Sequence, residues 1–68
     1  MNEVFFLIEE AQDGGFTAKA LGESIFAEAE TIDELKSEIK DAVKCHFDAD
    51  KLPKIIRLHS VKEEILTL

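Results

Sequence analysis

Sixty-eight residues make one small domain, and a chain of this size buries only about 60% of the surface it exposes when unfolded. The single cysteine, Cys45, excludes an internal disulfide, so stability must come from the core, a metal or another chain. Fifteen acids against eight bases give a net charge of −7, which opposes direct contact with a phosphate backbone.

The 46% hydrophobic content suits a globular domain and is too high for a disordered segment. The longest uncharged apolar run, Val4-Phe5-Phe6-Leu7-Ile8, is far short of the ~20 residues of a membrane helix. No basic stretch followed by an apolar one opens the chain, so neither a signal peptide nor a membrane partner is expected, and the expected compartment is the cytoplasm. The domain is too small to house thiamine, flavin or nicotinamide with its recognition apparatus. GxGxxG, P-loop, HExxH and CxxC patterns do not occur, so no cofactor is expected.

Residues 3–10, Glu-Val-Phe-Phe-Leu-Ile-Glu-Glu, are rich in β-branched and aromatic side chains and predict a strand. A turn cluster, Ala11-Gln12-Asp13-Gly14-Gly15, ends it. Residues 16–21 predict a second strand and residues 24–29 a third. Between them Gly22-Glu23 has the composition of a two-residue type II′ turn. The period then changes. Thr31-Ile32-Asp33-Glu34 is a capping box, and Ile32, Leu35, Ile39, Ala42, Val43 and Phe47 recur at helical spacing. Pro53 lies in a loop after the helix, residues 55–61 predict a fourth strand, and residues 63–68 extend it past a bulge or form a short strand of their own. The expected fold is α+β, ordered β-β-β-α-β in one domain over residues 1–68: an antiparallel three-stranded meander, a fourth strand, and one helix on one face of the sheet. A right-handed crossover through the helix puts the fourth strand beside the first and parallel to it.

Register sorts the side chains. Pairing Glu10 with Phe16 puts Ile8 opposite Ala18 and Phe6 opposite Ala20. Pairing Leu21 with Ser24 puts Ala20 opposite Ile25, Ala18 opposite Ala27 and Phe16 opposite Ala29. Paired residues share a face and neighbours along a strand alternate. One face therefore collects Val4, Phe6, Ile8, Phe16, Ala18, Ala20, Ile25, Ala27 and Ala29, an uncharged bed for the helix. The other collects Phe5, Leu7, Leu21 and Phe26 among Glu9, Thr17, Lys19, Ser24 and Glu28. A single helix cannot cover both faces, so Phe5, Leu7, Leu21 and Phe26 are the expected interface of a homo-oligomer, a dimer or larger. The structural alternative is that long side chains, the C-terminal segment or a shifted register hide them.

Catalytic and metal chemistry finds little support. Cys45-His46-Phe47-Asp48-Ala49-Asp50 lacks the spacing of a zinc site, and the only other histidine is His59. A calcium loop opening at Asp48 would place Pro53 where glycine is needed and His59 where glutamate is needed. Cys45 and His46 are helix neighbours that point apart, so the histidine cannot activate the thiol. An aromatic RNA platform would carry a glycine-rich signature that the chain lacks, and the net charge opposes it. No catalytic residue and no metal ligand is assigned.

The arrangement resembles the HicB-like antitoxin family, whose core is a short β-β-β-α-β domain. The resemblance spans most of residues 3–47. It rests on the first strand ending in Glu9-Glu10, on Asp13-Gly14-Gly15-Phe16-Thr17-Ala18, on Ala29-Glu30-Thr31-Ile32-Asp33-Glu34-Leu35 and on Ile39-Lys40-Asp41-Ala42-Val43. Where the family often carries Pro-Gly-Cys before the third strand, this chain reads Leu21-Gly22-Glu23-Ser24-Ile25. Many members append a DNA-binding segment, and none follows the last strand here, so the chain resembles a solitary minimal member. The resemblance implies neutralisation of a small basic ribonuclease toxin by protein contact, with Glu9, Glu10, Asp13, Glu28 and Glu30 as the partner-facing acids. The charge agrees, since residues 1–34 hold nine acids and Lys19 alone among bases. The competing readings are a stand-alone oligomeric regulatory or scaffold protein with no toxin, and a small metal-binding or ligand-binding enzyme using Cys45, His46 and His59.

Overall fold

A computed structural model describes residues 2–61 and 65–68. The elements follow the order β1 (Glu3–Glu10), β2 (Phe16–Ala20), β3 (Phe26–Ala29), α1 (Ile32–His46), a 3-10 turn (Ala49–Lys51) and β4 (Ile55–Val61). The sheet runs β3-β2-β1-β4, with β4 parallel to β1 and the other pairs antiparallel. This is the expected α+β architecture, with the fourth strand beside the first and parallel to it.

Both hairpin registers match the sequence reading. Glu10 faces Phe16, Ile8 faces Ala18 and Phe6 faces Ala20, while Ala18 faces Ala27 and Phe16 faces Ala29. The first loop is closed by Ala11 N–H on the Gly15 carbonyl at 2.7 Å and Gly14 N–H on the Ala11 carbonyl at 3.1 Å. Gly14 adopts φ +97°, a left-handed conformation that lets the loop return into the strand.

The second loop corrects the expected two-residue turn. Its closing bond runs from Ala20 N–H to the Ile25 carbonyl at 3.0 Å, whereas Leu21 N–H points the other way, to the Phe5 carbonyl at 2.9 Å. In a central strand successive N–H groups alternate between neighbours, so Leu21 cannot serve β1 and also close a tight turn with Ser24. The loop therefore spans residues 21–25, and β2 and β3 are shorter than expected at those ends.

The helix follows its capping box. Thr31 Oγ1 accepts from Glu34 N–H at 3.1 Å, and Asp33 and Glu34 occupy the first turn, where the helix dipole favours negative charge. Leu35, Ile39 and Val43 join Val4, Phe6, Ile8, Ala18, Ala20, Ile25 and Ala27 in one core. Phe16, Ala29, Ile32, Ala42, Phe47 and Ile56 pack at its edge. Small residues on β2 and β3 let α1 sit close, and the helix lies over those two strands. A helix is about 10–12 Å wide and strands are about 4.8 Å apart, so one helix covers only two to three strands. Most of β4 is left exposed on both faces. Residues 65–68 form no strand, and the expected extension at residues 63–64 lies outside the described residues.

Candidate interaction surface

The sheet face opposite α1 is not covered by the helix and carries exposed apolar side chains. Register places Phe5, Leu7, Glu9, Thr17, Lys19, Leu21, Phe26 and Glu28 there, as the alternation predicts. The fourth strand adds Ile55, Arg57, His59 and Val61, facing Glu3, Phe5, Leu7 and Glu9 in turn. The sequence reading missed these four because the crossover rule names the neighbour of β4 but not its register, and no short loop ties β4 to β1 to set which residues face outward. Phe26 is 61% exposed, Leu21 55% and Phe5 36%, and Ile55 and Val61 are exposed as well.

The apolar cluster is not continuous. Lys19 sits between Leu7 and Phe26 in the cross-strand row. Phe5 is flanked by the His59 ring, with centroids 5.4 Å apart, and by the Arg57 guanidinium 5.9 Å from its ring centre. Arg57 in turn donates to Glu3 Oε1 from Nε at 3.2 Å and from Nη2 at 3.0 Å. Leu7 is half-buried between its neighbours. The most open part of the face is thus the Leu21–Phe26 side.

A second feature is electrostatic. The ends of β1, β3 and β4 and the start of β2 converge at one end of the sheet, and α1 begins just beyond β3. That end gathers Glu9, Glu10, Asp13, Glu28 and Glu30, all exposed, so the structure brings the five predicted acids to one end. Their settings differ. Glu9 and Glu28 flank Thr17 on the outer face, whereas Asp13 lies in the first loop, where Oδ1 accepts from Gly15 N–H at 3.4 Å. Glu28 and Glu30 share a shallow depression with Asp33, Glu34 and Glu38 of α1. The helix acids extend the patch, and the first turn of the capping box was the sequence signal for two of them. The opposite end of α1 carries Lys44 and His46.

The residues of the metal and nucleophile alternatives are dispersed. Cys45 is a free, exposed thiol. His46 ends α1, with Nε2 3.2 Å from Glu23 Oε2, tying the helix end to the second loop. His59 stands on the outer sheet face beside Phe5. Among the described residues no group of three or more His, Cys, Asp or Glu side chains could hold a metal ion. Among them, too, no helix is long and apolar enough to cross a membrane.

This chain is 54% identical over 52 residues to a UPF0150 protein of Archaeoglobus fulgidus, covering 76% of this chain and 77% of that one. The chain belongs to the UPF0150 family. A UPF0150 protein of Thermotoga maritima is 44% identical over 61 residues, covering 90% of this chain and 86% of the relative. No family model matches the chain, and no solved structure matches it. The overlaps with these UPF0150 relatives are too long to leave out the helix, so the similarity includes α1 as well as strands.

Proposed function

We propose that this UPF0150 protein is a non-enzymatic interaction domain, similar to a HicB antitoxin, that self-associates through its outer sheet face and engages a small basic ribonuclease toxin through its acidic end. The observation that carries the reading is the outer face itself, with Phe5, Leu21 and Phe26 open to solvent on the side away from α1. A small domain gains stability by burying such a face against a second copy. The acids at the sheet end supply the complementary charge that accelerates and orients encounter with a basic protein. Its site of action is taken as the cytoplasm, where a free thiol such as Cys45 stays reduced.

Sedimentation equilibrium of the full chain and of Phe26→Glu tests the first half. The wild type is expected as a dimer or larger and the variant as a smaller species. An unchanged mass removes this face as the interface. Cleavage of RNA by a small basic ribonuclease encoded beside the chain tests the second half, with inhibition expected on adding the chain. Dissociation by Phe26→Glu with RNA cleavage unaffected would leave a stand-alone oligomeric regulatory or scaffold protein.

A further inference from the structure

Because α1 lies over β2 and β3, the helix-side face of β4 is left with an open groove. Its walls are Lys36, Ile39 and Lys40 of α1 and Ile56 and Leu58 of β4. The space is about 130 Å³, close to the roughly 150 Å³ of an apolar cavity that accepts a benzene-sized group. Its floor is aliphatic, Leu58 is 37% exposed, and two ammonium groups stand on the helix side.

The same chain carries a segment of matching chemistry. Ile65, Leu66 and Leu68 are almost wholly solvent-exposed, Leu66 at 89%. In the sequence Lys62, Glu63 and Glu64 immediately precede them, a stretch of net charge −1. The radius of gyration is 13.3 Å, against about 11 Å for a compact domain of this length. The long axis is 52 Å against 20 and 17 Å across. The described tail is therefore not folded against its own body, and three large aliphatic side chains lie in water.

We propose that residues 65–68 of a second copy of this chain dock in the groove between α1 and β4, seating an aliphatic side chain against Ile39, Ile56 and Leu58 beside Lys36 and Lys40. Apolar surface meets apolar surface, and the stretch that precedes the docked residues in the sequence, Lys62-Glu63-Glu64, has a net charge of −1 that favours a basic rim over an acidic one. The exchange is reciprocal: each copy gives its tail and receives the other's, which closes the pair. The same contact repeated in one direction would instead grow a filament. The docking is separate from the outer-face contact, since Leu58 and Phe26 lie on opposite faces of the sheet.

An isotope-filtered nuclear Overhauser measurement on mixed labelled and unlabelled full-length chain tests it. Methyl contacts from Ile65, Leu66 or Leu68 of one copy to Ile56 and Leu58 of the other are expected. Leu58→Glu should abolish them, and Lys36→Glu with Lys40→Glu should weaken them. Phe26→Glu should leave them in place, and their loss in that variant would overturn the docking as a separate contact. Tail-to-groove contacts seen only within one copy, or no tail contacts at all, would overturn the proposal.

Discussion

Arg57 lies directly across the parallel β1–β4 ladder from Phe5, with its guanidinium 5.9 Å from the ring centre and two hydrogen bonds to Glu3. One side chain thus shields an outward phenylalanine while its charge is held by a carboxylate on the neighbouring strand. At an exposed site such a cation–ring contact contributes about 0.5–1 kcal/mol. A cycle of Arg57→Ala, Phe5→Leu and the double variant, unfolded in urea, should give a coupling of that size. A coupling near zero would mean that the ring and guanidinium merely share a surface.

Phe6 is fully buried where α1 meets the sheet. Phe6→Ala should cost about 3–5 kcal/mol through lost transfer energy and the cavity left behind. A core of this size contributes little more than that in total. Circular dichroism at 25 °C should therefore find the variant largely unfolded. A cooperative melt close to that of the wild type would mean that the core is supported from outside the monomer.

The helix cap can be tested by itself. Thr31→Ala removes the acceptor for Glu34 N–H and should cost about 1 kcal/mol. For a domain of this length that lowers Tm by roughly 4–8 °C. Thr31→Ser, which keeps the oxygen, should recover most of the loss.

Two adjacent glycines should respond differently. Gly14 has φ +97° and open space where a methyl group would sit, so Gly14→Ala carries backbone strain alone, roughly 1–2 kcal/mol. Gly15 has an ordinary φ, and an added Cβ would meet the Ala29 carbonyl at 3.4 Å, an ordinary contact. Gly15→Ala should be close to neutral. Equal losses in the two variants, measured by thermal melts, would show that the loop's left-handed residue is not what limits it.

Local signals located the helix and the four main strands because each is short-range physics, while the 3-10 turn Ala49–Lys51 reads in the sequence as loop. The capping box at Thr31, the alternation through Val4, Phe6 and Ile8, and the glycines at the loops all act within a few residues. The acidic end was legible in part for the same reason, since Glu9, Glu10, Asp13, Glu28 and Glu30 sit at predicted strand ends and turns. Leu21 resisted. Its sequence context favours a tight turn, but the direction of its N–H is dictated by pairing with Phe5, far back along the chain on β1.

By itself, then, the sequence determined the α+β class, the order of elements, both hairpin registers and the division of β1 to β3 into a helix-facing row and an outward row. These depend on alternation and on neighbours joined by short loops. Only the tertiary structure decided that Arg57 and His59 flank Phe5, that the helix acids Asp33, Glu34 and Glu38 join Glu28 and Glu30, and that α1 stops short of β4. Those relationships join residues far apart in the chain. They are set by the width of one helix against four strands and by the register of β4 along β1, which no local pattern encodes.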